Sequence, residues 1–140
     1  MIKNKDPDKF KAKSLIIAAE LEMQFIINLN PSKESGQTII GRLYENFRRL
    51  GEALMLIRGR ESVGQGQHND NINELLLLTI KTERPIKVLE SLKKTRMDIN
   101  YNGYIPTIDE INDAISIAKT CFNPILEEIK KELDKLWKEQ

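Results

Sequence analysis

The stretch IGRLYENFRRLGEALMLI, residues 40–57, places Ile40, Leu43, Phe47, Leu50, Leu54 and Ile57 at alternating steps of three and four residues. That spacing lays one continuous apolar stripe along an α-helix and does not fit the two-residue alternation of a strand. Ser35-Gly36 precedes the stripe and Gly59 follows it, which predicts a helix over about 36–59. Such a seam has two uses. It is either the core line of one chain or the contact line between two copies, and the pattern alone leaves both open.

The flanking sequence reads as further helices. A first helix is expected to start at Asp6-Pro7, where aspartate caps the free N–H groups and proline fits the first turn. It runs through Leu15, Ala18, Ala19, Phe25 and Ile26 and stops near Asn30-Pro31. A third helix is expected over 71–80, and a fourth from Pro85 through Ile86, Leu89 and Leu92 to about Ile99. The last opens on Thr107 with Glu110 three residues on, a capping box. Its apolar face comprises Ile111, Ile115, Ala118, Phe122, Ile125, Ile129, Leu133 and Leu136, with a kink expected at Pro124. No segment alternates as a strand does. The expectation is one domain over residues 1–140: an all-α, antiparallel, up-and-down bundle of about five helices, with residues 59–67 as an irregular glycine-bearing loop.

Composition narrows the function classes. Among 140 residues, Lys and Arg number 22 and Asp and Glu 21, for a net charge of +1, so any polyanion site must be a local patch. The apolar runs at 15–19 and 75–80 are far shorter than the roughly 18 residues of a membrane span, and no secretory leader pattern opens the chain. A cytoplasmic protein without membrane attachment is expected. The single cysteine, Cys121, lies on the apolar face of the last helix and reads as inert packing. One His and one Cys cannot supply the roughly four ligands of a zinc site, and Gly64-Gln65-Gly66 follows a helix where a phosphate-cradling loop would follow a strand. Neither metal nor cofactor is expected.

What remains is a set of cations and one histidine. Arg42, Arg48, Arg49, Arg58 and Arg60 fall on or just after the second helix, where neighbours such as Glu45 and Glu52 suit a solvated, ion-paired face. Lys93, Lys94 and Arg96 fall near the end of the fourth. Guanidinium forks grip phosphate in a bidentate manner. His68 is the one side chain whose ordinary titration lies near neutrality, although its position also suits a surface or capping histidine.

The segment Arg96-Met97-Asp98-Ile99-Asn100-Tyr101-Asn102-Gly103-Tyr104, followed by Pro106 and the capped last helix, resembles the late motif of HEPN domains. These are small helical bundles associated with prokaryotic nucleotidyltransferases and toxin–antitoxin pairs. The stretch from Gly51 to Gly59 is similar to that family's second core helix ending in Arg58-Gly59, and His68 to a histidine that often follows the next loop. The resemblance spans about residues 10–133. In the RNase members an arginine and a histidine a short spacer later, from two protomers, cleave RNA without metal. Arg96 matches the arginine, whereas Asn100 and Tyr101 stand in place of the histidine and Met97 replaces the polar residue after the arginine. Asparagine cannot titrate, and a tyrosine near pKa 10 is a poor base at neutral pH.

The resemblance therefore implies a homodimer that binds nucleotide or RNA near Arg96, Asn100, Tyr101 and Tyr104, with His68 and Arg58 contributing, and with a nucleotidyltransferase as partner. Tyrosines beside arginine suit base stacking combined with phosphate contact. A metal-independent RNase in which Arg96 works with Tyr101 or His68 is the enzymatic alternative. A structural adaptor, with Arg96 paired to Asp98, Asp109 or Glu110, is the non-catalytic one.

Overall fold

A computed structural model describes residues 1–139. Five helices dominate it: α1 (Lys9–Ile26), α2 (Gly36–Ile57), α3 (Gln67–Leu76), α4 (Leu89–Asn102) and α5 (Ile108–Lys138). α2 is the central element and packs against the other four. Every residue of the stripe read from the sequence is buried inside the chain, and Phe47 meets Phe122 of α5 edge to face with centroids 5.6 Å apart. The stripe is thus a monomer core line, and its alternative use as a seam between two copies is ruled out, because one surface cannot face both α5 and a second chain.

Two short strands correct the expectation of a strand-free chain. β1 (Ile2–Asn4) pairs antiparallel with β2 (Arg60–Ser62), Ile2 opposite Ser62 and Asn4 opposite Arg60. Three residues are too few to display alternation, and the partners lie far apart in sequence, so no local pattern announces them. The pairing also moves the start of α1. The Lys5 and Asp8 N–H groups donate to the carbonyls of Gly59 and Leu56, which keeps Asp6 and Pro7 in the extended lead. Asp8, in place of Asp6, caps the helix by accepting from the Lys11 N–H at 3.0 Å.

α3 begins four residues earlier than expected, directly after the left-handed Gly66, and ends at Leu76. The apolar run beyond it turns away from the helix and buries Leu78 while leaving Leu77 exposed. At Thr107 the expected capping box is complete: the Thr107 N–H donates to Glu110 Oε1 at 2.9 Å and the Glu110 N–H donates to Thr107 Oγ1 at 3.1 Å. α5 stays helical through Pro124, whose missing N–H removes one helical hydrogen bond. Cys121 is buried. Among the described residues no helix is long and apolar enough to cross a membrane.

Candidate functional site

Six of the seven arginines are neutralised by carboxylates. Arg48, half-buried on α2, donates to both Glu45 and Glu52, its Nη atoms reaching each at 2.8 Å. Arg42 makes a two-pronged contact with Glu22 of α1 at 2.7 and 2.9 Å. The buried Asn46 links this pair to Arg49, donating to Glu22 and accepting from Arg49. Arg58 spans Glu132 of α5 and Glu74 of α3, and Arg60 also donates to Glu74, whose side chain is 2% exposed. Arg84 reaches Asp113. Arg58, expected at the site, is therefore a structural clasp joining three helices.

Arg96 is different: among the described residues no carboxylate lies within ion-pair distance of it. Asp98 and Asp109 make no hydrogen bond or ion pair with it, and Glu110 is occupied by the Tyr104 hydroxyl and its own helix cap. Its guanidinium instead lies close beside Gly41 of α2. A methyl group on Gly41 would sit 3.1 Å from Arg96 Nη1 and 3.2 Å from Cζ, so only glycine admits the approach without pushing the guanidinium aside.

Around Arg96 lies a cleft of about 570 Å³ between α2, α3 and α4. Arg96, Met97, Asn100 and Tyr101 line it from α4, His68 and Asn69 from the first turn of α3, and Tyr44 and Glu45 from α2. The sequence reading placed Asn100 and Tyr101 in a loop after a helix end near Ile99. They are helical, because α4 continues to Asn102 and stops at the left-handed Gly103. Helical spacing then sets Arg96 one turn from Asn100 and Met97 one turn from Tyr101, all on one face. Tyr101 is 79% exposed, with its ring free at the rim.

α3 reaches this position because it crosses α2 at Gly51, where a methyl group would lie 2.0 Å from the Asn71 carbonyl oxygen. That crossing carries His68 to the cleft. Lys93 of α4 closes the far side by donating to Asn69. A second hollow of about 470 Å³, lined by Gln37, Thr38 and Arg42, shares Glu45, Arg96 and Asn100 with the first, so Arg96 faces open space on two sides.

Among the described residues Glu45 is the one carboxylate that lines the cleft beside Arg96. Burial opposes ionisation of Glu45, but hydrogen bonds from Arg48 and the charges of Arg48, Arg49 and His68 hold its carboxyl below the usual range. Its charge is thereby committed to Arg48. Burial pushes the Tyr44 phenol up, and the charges of Arg48 and Arg96 oppose that rise.

Four of the six residues expected from sequence thus meet in one cleft: Arg96, Asn100, Tyr101 and His68. Tyr104 does not line it. Its hydroxyl donates to Glu110, which holds that carboxyl below the usual range after the Thr107 backbone N–H, and its carbonyl accepts from Gln37. Tyr44 and Gly41 escaped the sequence reading, and Glu45 was marked there only as a neighbour of the helix-two arginines, since all three sit between stripe positions and carry no motif of their own. Among the described residues no group of three His, Cys, Asp or Glu side chains is gathered closely enough to hold a metal ion. No protein-family model, no curated protein and no solved structure matches the chain.

Proposed function

We propose that this chain is a HEPN-like helical domain that binds a nucleotide or RNA in the Arg96 cleft, as part of a nucleotidyltransferase-associated or toxin–antitoxin system. One observation carries the reading: the arginine without a carboxylate partner lies in a cleft with an amide, a histidine and an exposed tyrosine from two separate helices. Arg96 supplies a fork for phosphate, Asn100 a donor and acceptor for a base or sugar edge, and Tyr101 a stacking platform. The reading includes a homodimer, and the nucleotidyltransferase is its second partner. The test is fluorescence anisotropy of labelled oligouridylate and of a labelled ATP analogue. Binding that weakens steeply with added salt supports phosphate contact, and no binding of either probe in low salt rejects the reading.

The enzymatic alternative gains from one feature. His68 brings a titratable group to the cleft of Arg96, where the resemblance alone left the histidine position empty. In that reading His68 accepts the proton of a ribose 2′-hydroxyl while Arg96 stabilises the charge gathering on phosphorus. Formation of 2′,3′-cyclic phosphate ends by the wild type and their loss in His68→Ala would support cleavage; intact oligonucleotide with both proteins leaves binding as the function.

A further inference from the structure

Four large apolar side chains stand exposed along the outer face of α1. Phe10, Ile17, Leu21 and Phe25 are 67%, 49%, 67% and 66% exposed. Ala12, Ile16, Ala19, Met23 and Ile26 form the buried face. With Ser14, the exposed residues fall within one stripe on the side of α1 away from α2. The four side chains leave on the order of 400 Å² of apolar surface open, about half of the roughly 800 Å² that each partner buries in a standard interface. The edge-to-face pair of Phe10 with Trp137, whose centroids are 5.2 Å apart, extends the patch onto α5.

We infer that this face binds a second copy of the chain, α1 against α1 in antiparallel orientation. The inference rests on the homodimer proposed above and adds where it forms. The stripe is self-complementary only when the helices run in opposite directions. A two-fold axis between Ile17 and Ala18 sets Phe10 against the other copy's Phe25 and Ser14 against its Leu21, so a large side chain meets a small one at the inner positions. Charge points the same way. Lys13 stands in the first half of α1 and Glu20, which also meets Lys130 of α5, in the second, so antiparallel pairing apposes opposite signs there and parallel pairing like signs, whereas Lys11 and Glu22 are already paired with Glu52 and Arg42. Lys13 and Glu20 lie along the same edge of the stripe, and Lys13 has no carboxylate partner in its own chain among the described residues. The contact also differs from the composite site that the resemblance implies. α1 contributes nothing to the cleft lining, so each copy keeps a complete site of its own.

Sedimentation equilibrium on the wild type, Leu21→Glu and Phe25→Glu tests this, with circular dichroism to confirm that each variant folds. A wild-type dimer whose dissociation constant rises at least about tenfold in both variants, at unchanged helical content, is the expected result. Dimers of undiminished strength in both variants overturn the α1 interface and leave the homodimer standing. A wild type that stays monomeric at high micromolar concentration overturns both. Orientation has its own readout: Ile17→Cys lies near the two-fold axis and is expected to form an intermolecular disulfide with itself, whereas Phe10→Cys alone does not. Self-linking at both positions means parallel helices and overturns the pairing.

Discussion

The arginines of α2 and the arginine of α4 carry the same group to opposite ends. Arg42, Arg48, Arg49 and Arg58 each find glutamates on their own or a neighbouring helix, and their forks tie α1, α3 and α5 to the central helix. Arg96 meets a glycine where the others meet a carboxylate. A guanidinium is always charged at physiological pH, so its role is set by whether the fold supplies the counter-charge. Where the fold does so the arginine is structural. Where it supplies a glycine and an open cleft, as at Arg96, the guanidinium has no carboxylate partner among the described residues.

Removing the support that both regions share should have the largest effect. Phe47 lies on α2 between the clasped arginines and is fully buried against Phe122. Phe47→Ala is expected to cost about 3–5 kcal/mol in urea or thermal unfolding, the range for an aromatic core truncation. A near-neutral result would mean that α2 is not the common frame.

Acid should separate the two regions next. A hydrogen bond from Arg42 lowers the Glu22 carboxyl, and at Glu45 and Glu52 burial is the largest single effect and raises the carboxyl, but the hydrogen bonds and charges of Arg48 and its cationic neighbours together outweigh it. A carboxylate with a depressed folded-state pKa contributes its full stabilisation above its unfolded value, and that contribution is lost as pH falls through the folded value. Stability is therefore expected to hold from neutrality down to the ordinary carboxylate range and to decline below it. Arg48→Ala should flatten that decline and Arg96→Ala should leave it intact, as read from unfolding midpoints across pH. An equal change in both variants would mean that Arg96 is ion-paired as well.

Gly41→Ala is the mildest change. The added methyl meets only the far end of a flexible side chain, and alanine favours a helix interior by roughly 0.5–1 kcal/mol over glycine. Stability is expected to stay level or rise slightly while nucleotide binding weakens several-fold, because the guanidinium is displaced. Unchanged binding would show that its seat on α2 is irrelevant.

Local patterns were legible in the sequence. The α2 stripe, the Thr107–Glu110 box, the placement of Cys121 and the pairing of Arg48 with Glu45 and Glu52 all act over one or two helical turns, within reach of spacing alone. Long-range partners were not. Arg58 reads as free until Glu74 and Glu132 are brought to it from α3 and α5, and β1 finds β2 across two helices. Tyr104 is removed from the cleft by a hydrogen bond to Glu110 that only the turn between α4 and α5 creates. The cleft is intermediate. Arg96, Asn100 and Tyr101 were marked by their segment, whereas the arrival of His68 beside them depends on the crossing of α3 over Gly51.

The central claim is that pairing decides which arginine meets a ligand, and a matched comparison of Arg96→Ala with Arg58→Ala tests it most directly. Each substitution removes one positive charge, so any effect of net charge is the same in both. Oligouridylate anisotropy at constant salt is expected to lose about 1.5–3 kcal/mol of binding free energy in Arg96→Ala, the scale of a hydrogen bond to a charged group, with unfolding stability unchanged. Arg58→Ala should keep its affinity and lose stability. Equal affinity losses in the two variants would contradict the claim, as would loss of fold on replacing Arg96.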